Sequence, residues 1–310
     1  MPPPASATPS PSARATARGG ASLTGGGAAL PLLVAALAAA AFVGMDTVIK
    51  LLAARYDTLQ LGFFRFAGGC AFAIPLWCWH GAPLPSRRVW PLHLLRSALL
   101  LCSLLGYFHA LTLLPLALTV TVSYLSPIVV AVLAGPVLGE RPGRAVWLAL
   151  GAGLVGVSVA VWPALSVGFE RSSAARLTGI ASAAFAAVAF AGVMLLARKQ
   201  ANREPIWTIL MVQSTLPLLL LAGPVAWRWQ PVLAVDIGWV LLAGALGTSG
   251  LLGVTFAFTR LEASRVAPLD YTGFVWAALL GHLVFGEVPT ATTAASAALV
   301  IGGCLLLLRR

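Results

Sequence analysis

The chain has 310 residues, of which 59% are hydrophobic and only 9% charged, with a net charge of +11. A soluble domain carries about a quarter charged residues, so there is too little polar surface here to coat a water-soluble globule, and lipid is the expected solvent. The basic residues are scattered singly and in pairs between apolar stretches, which excludes the clustered basic face of a nucleic-acid binder. The four cysteines (Cys70, Cys78, Cys102 and Cys304) fall in apolar stretches without metal-ligand spacing and read as small core residues.

Residues 1–28 are rich in Pro, Ala, Ser and Gly and are expected to form a disordered tail. The apolar run from Ala28 to about Ile49 is too long for a signal peptide, and Asp46 and Lys50 stand where a cleavage site would be. It reads as the first membrane helix. A spanning helix needs about 20 mostly apolar residues. Ten stretches qualify: 29–50, 59–79, 90–113, 116–138, 144–162, 177–197, 205–226, 237–259, 264–286 and 290–308. The third and fourth run together in a segment, 97–139, without Asp, Glu, Lys or Arg, and Leu113-Leu114-Pro115 divides them.

Cytoplasmic loops of membrane proteins carry an excess of Lys and Arg. With the N-terminus inside, 14 basic residues fall on the cytoplasmic side, among them Arg87, Arg88, Arg141 and Arg144, against 5 outside. Both termini are then cytoplasmic. A shift of 147 residues lays 104–142 on 251–289 with 13 of 39 positions identical, including Tyr124/Tyr271, Gly139/Gly286, Glu140/Glu287 and Pro142/Pro289. Each copy spans five helices, an odd number, so the second is upside down relative to the first. The expected fold is an all-α membrane protein of ten transmembrane helices in two inverted five-helix repeats, 29–163 and 177–308, joined by a linker at 164–176. Inverted repeats suit secondary transporters, because exchanging the conformations of the two halves turns an outward-open state into an inward-open one.

The first half carries Met45-Asp46-Thr47-Val48-Ile49-Lys50, Phe63-Phe64-Arg65-Phe66, Ala117-Leu118-Thr119, Tyr124-Leu125-Ser126-Pro127 and Leu138-Gly139-Glu140-Arg141, followed by a glycine-rich helix from Gly151. In this order and spacing, over about 30–308, they resemble the EamA-type drug/metabolite transporter superfamily. The resemblance implies ten helices, a central cavity between the halves and carriage of small organic solutes, with no bound cofactor. The second half departs from the pattern, with Thr272-Gly273-Phe274 where the first has Leu125-Ser126-Pro127.

Charges inside a membrane cost about 2.5–3.5 kcal/mol on insertion scales and need a reason to stay. Asp46 and Lys50 share a helix face. Arg65, Tyr107, His109, Ser123 and Tyr124 are expected at similar depth, forming an outer polar layer that serves as solute site, gate or structural ion pair. The inverted copy offers Asp270 and Tyr271 in an inner layer, with Gln213 near mid-membrane. Trp276 and Tyr271 are candidates to stack a planar solute. Glu140 and Glu287 each follow a Gly and precede a Pro by two residues, and are expected to face the positive end of the next helix. Pro127 is expected to kink its helix. Small residues four apart (Ala152/Gly156/Ala160, Ala245/Ser249/Gly253, Ala294/Ala298/Gly302) suit close helix packing or a homodimer. The expected surroundings are a small-molecule solute and the bilayer of a bacterial inner membrane, without nucleic acid or metal. Two rival readings are an intramembrane serine protease built on Ser249 and His282 of a Gly247-Thr248-Ser249-Gly250 motif, and a non-transporting membrane sensor. The protease lacks a side-chain oxyanion donor, since the only Asn is Asn202.

Overall fold

The computed structural model describes residues 29–113, 119, 122–165, 173–286 and 291–309. The tail, the division at Leu114-Pro115, the middle of the linker and Glu287 lie outside the described residues. Among those described, the chain forms ten main helices and no strand: α1 Ala29–Leu52, α2 Thr58–Trp79, α3 Trp90–Leu113, α4 Ser126–Leu138, α5 Arg144–Leu165, α6 Ser173–Ala201, α7 Ile206–Ala226, α8 Ala234–Arg260, α9 Thr272–Phe285 and α10 Ala291–Leu305. The expected linker is therefore helical at both edges. Five helices (α1, α2, α6, α7 and α8) are long and apolar enough to cross a bilayer unbroken. The outer faces are strongly apolar: Leu148, Leu219 and Leu283 are each more than 60% exposed, an arrangement that water would not tolerate and hydrocarbon favours. Trp79 and Trp227, 85% and 92% exposed, mark the ends of α2 and α7, as aromatic residues do at membrane interfaces.

Helices pair across the chain: α1 with α8, α3 with α6, α2 with α7 and α8, and α5 with α10. Where lipid replaces water, the apolar side chains gain little from leaving one for the other, and close packing decides the partners. Glycine sets the α2–α8 crossing, because a Cβ on Gly244 would run into the Gly68 carbonyl carbon. The Gly247-Thr248-Ser249-Gly250 stretch serves α1: Gly247 receives the Met45 sulfur and Gly250 the Phe42 ring. Gly253 lies on Ala38. Between α5 and α10, Gly156 meets the Ser296 carbonyl and Val300, and Gly303 meets Ala149 and Ala152. Gly302 of the expected ladder has nothing near it. The α10 contact runs one residue further along.

The fourth and ninth segments are broken helices. A turn at Tyr124–Leu125 precedes α4, and Pro127 sits in its first turn. The expected kink is thus a restart, favoured because proline fits the first turn of a helix. The ninth segment begins with one helical turn, Ala263–Val266, passes through a 3-10 stretch, Ala267–Tyr271, and continues as α9. The two breaks meet: the Tyr271 hydroxyl donates to the Tyr124 carbonyl at 3.0 Å. Both α4 and α9 end on a left-handed glycine, Gly139 at φ +74° and Gly286 at φ +68°.

Glu140 departs from expectation in its partner. Its carboxylate accepts the backbone N–H groups of Ala263 (3.1 Å) and Ser264 (3.3 Å) and pairs with Arg198 (3.0 Å). It caps the start of the ninth segment instead of α5, the next helix in sequence. The unsatisfied amides of a helix start are what attract it, and the tertiary fold brings Ala263 to it.

Candidate functional site

Between the helix pairs lies a cavity of about 280 Å³, near the lower end for small-molecule sites. Its wall draws on α1, α2, α3, α6, α7, α8, the turn before α4 and the ninth segment; among the described residues none of its lining belongs to α5 or α10. Four ionisable side chains reach it: Asp46 from α1, Arg65 from α2, Arg96 from α3 and Asp270 from the 3-10 stretch. Tyr124, Gln213, Ser214 and Thr248 add neutral polar groups, while Phe42, Phe66, Phe190 and Met194 give apolar walls. Asp46 lies deep within the bundle and is solvent-exposed because it faces this hollow. Six residues separate it from the end of α1, about 9 Å of helix.

The charges are arranged in an informative way. Arg65 is the cation whose field acts on Asp46, and its guanidinium also lies 5.5 Å from the Phe66 ring centroid. Arg96 is 3% exposed; its Nη1 donates to Gln200 Oε1 at 2.8 Å, while its Nε has no partner among the described residues. A buried guanidinium with a spare donor suits an arriving anion. Asp270 sits where the helix is interrupted and faces the hollow.

The sequence candidates divide. Asp46, Arg65, Tyr124, Gln213 and Asp270 line the cavity. Lys50 and His109 are exposed on α1 and α3. Tyr107 lies close enough to Asp46 to feel its charge. Ser123 donates to the Thr119 carbonyl, four residues back, at 2.9 Å. Tyr271 is fully buried, its ring packed over Gly153, where no Cβ fits. It shapes the break instead of facing the cavity. Trp276 is half-buried and off the wall. Ser249 donates to the Ala245 carbonyl of its own helix at 2.8 Å, and His282 is exposed.

Sequence reasoning missed the ties at the two ends of the bundle. At one end Asp236, in the first turn of α8, accepts from Arg55 (2.6 Å) and from the Tyr56 hydroxyl (2.8 Å). There Gln60 also clamps the backbone of Gln230 through two bonds, 2.6 and 3.1 Å. At the other end stand the Glu140–Arg198 cluster, with Arg198 also donating to the Phe258 carbonyl, and a buried set comprising His93, Arg96, Gln200 and Glu204. One signal was available: His93, Arg96 and Leu100 recur at helical spacing and face inward together.

A bundle of apolar-faced helices around a charged, centrally placed hollow, with interrupted helices at its wall, defines a membrane carrier. The EamA-like transporter family matches twice, over residues 29–162 and 177–309, and the chain belongs to that family. It is 32% identical to a pseudopaline exporter, CntI, of Pseudomonas aeruginosa, over 90% of this chain and 95% of that one. It is 24% identical to an S-adenosylmethionine uptake transporter of Rickettsia felis, over 85% of this chain and 87% of the other. A riboflavin transporter of Rhizobium johnstonii is also 24% identical, with coverage of 88% and 89%. A solved crystal structure with 23% sequence identity superposes at a TM-score of 0.73, covering 90% of this chain and 95% of its own, and shares the fold.

Proposed function

We infer that this protein carries a small zwitterionic or anionic organic metabolite across a bacterial inner membrane by alternating access between two inverted halves. The observation that carries the reading is the cavity with two carboxylates and two guanidinium groups, Asp46, Asp270, Arg65 and Arg96. A solute bearing both an amine and a carboxylate satisfies both signs at once, whereas an apolar solute offers the charged groups nothing in return for displaced water. Relatives named for pseudopaline, S-adenosylmethionine and riboflavin support a metabolite as cargo.

The inverted-repeat reading draws support from the pairing pattern. Exchanging the halves maps α1 onto α6 and α8 onto α3, so the α1–α8 and α3–α6 pairs become each other's image. The breaks at Tyr124 and Tyr271 fall 147 residues apart, at the shift of the sequence repeat. The positive-inside bias then puts the Glu140–Arg198 end in the cytoplasm.

The test is flux in proteoliposomes holding the purified protein, with a panel of amino acids, S-adenosylmethionine, riboflavin and organic acids. Saturable flux of a dipolar or anionic compound is expected. Flux confined to neutral apolar compounds, or none from folded protein, rejects the reading.

A further inference from the structure

His93 lies in the first turn of α3 with no solvent exposure. Its Nε2 is 2.6 Å from Glu204 Oε2, in the short turn between α6 and α7. Its Nδ1 is 3.0 Å from Gln200 Nε2 on α6 and 3.5 Å from Gln213 Nε2 on α7. The protonation state follows from Arg96. A guanidinium only donates, so the Gln200 oxygen turns to Arg96 and its NH₂ turns to His93. Nδ1 must then offer a lone pair, and the ring proton sits on Nε2, donated to Glu204. This bond network holds the imidazole neutral.

A proton arriving at Nδ1 would break the network. Two amide NH₂ groups would face an N–H, and Gln200 cannot flip without turning its NH₂ against Arg96. Relief requires α6 and α7 to move away from α3, and it releases Arg96, a cavity residue. The charged groups facing the ring are Glu204, which favours the imidazolium, and Arg96, which opposes it. Gln200, Gln213 and the Trp90 ring are uncharged.

We propose that His93 is the proton-binding site that couples this carrier to a proton gradient, its Nδ1 taking a proton from water and unlatching α3 from α6 and α7 beside the cavity. The proton returns to water when the latch recloses, so the Nδ1–H bond is the one covalent bond that forms and breaks, while the hydrogen bonds of Gln200, Gln213 and Arg96 open and reclose with it. The proposal rests on the transport reading. His93→Gln keeps one donor and one acceptor but binds no proton. Glu204→Gln removes the counter-charge.

The substrate-independent arm is hydrogen–deuterium exchange of the full chain in nanodiscs at about pH 5 and about pH 8, spanning the histidine range and corrected for intrinsic rates. Exchange in the last turn of α6 is expected to rise on acidification in the wild type and to stay flat in His93→Gln. Glu204→Gln should need a lower pH for the same rise. In proteoliposomes, one pH unit at one proton per solute supports about tenfold accumulation. His93→Gln is expected to abolish that accumulation while retaining solute counterflow. A His93→Gln protein that still accumulates solute, or a wild type whose α6 exchange ignores pH, overturns the proposal. Flux failure across the panel with the pH-dependent opening intact overturns the transport reading, and the coupling role with it, but leaves the latch standing.

Discussion

Asp270 tests the site at the scale of one side chain. It faces the hollow from the 3-10 stretch, and its described surroundings give it no fixed cation. A charge held in this way costs stability, so its retention points to use. Asp270→Asn should weaken an amine-bearing solute by about tenfold or more, because a hydrogen bond to a charged group contributes about 1.5–3 kcal/mol. The thermal midpoint of the ligand-free protein should hold or rise. Solute-induced thermal shifts of wild type and variant read both quantities, and unchanged solute affinity removes Asp270 from the site. Asp46→Asn should abolish solute-coupled transport with folding intact; flux alongside size-exclusion profiles checks it, and unchanged uptake removes Asp46 from the mechanism. These two acids were legible in the sequence because a carboxylate among apolar residues stands out. Arg96 was not, since its place near a helix start made it resemble an interfacial cation.

Helix packing depends on a few glycines. Gly244→Ala drives a methyl into the Gly68 backbone, and neither helix has a flexible side chain there to yield. Overpacking costs about 1–3 kcal/mol in cores, and a backbone clash should lie at or above the top of that range. Gly302→Ala meets nothing and should be neutral or slightly stabilising, alanine being favoured over glycine in a helix by about 0.8–1 kcal/mol. Thermal unfolding of both variants in the same detergent gives the comparison; equal midpoints would mean that the α2–α8 crossing is not fixed by the Gly68–Gly244 approach. The broken helices are a second element-scale feature. Proline at position 127 predicted a distortion, but its form depended on Tyr271, which arrives from 147 residues away to take the released Tyr124 carbonyl.

Over the whole molecule, the cavity sits between two sets of polar ties of different composition. Arg55, Tyr56 and Asp236 close one end, and Glu140 with Arg198 holds the other. Alternating access predicts opposite responses to their removal. With Cys78 and Cys102 replaced and a reporter cysteine placed at Ser214 on the cavity wall, Glu140→Gln should raise labelling by an impermeant thiol reagent from the cytoplasmic side. Asp236→Asn should raise it from the other side. Labelling that responds identically to both variants would show that the two clusters do not govern opposite ends.

The sequence by itself determined that the chain lives in lipid, roughly where its apolar helices lie, that its two halves repeat, and which acids merit suspicion. Each of these follows from local composition, because hydrocarbon demands long apolar runs and penalises every charge within them. The tertiary structure alone decided which faces meet. Helices that are apolar all round carry no stripe to mark the inside, so partner choice rests on close fits such as Gly68 on Gly244. The same reason hid Glu140's true partner at Ala263 and the buried His93 network. Those bonds join residues more than a hundred positions apart, and no spacing along the chain records them.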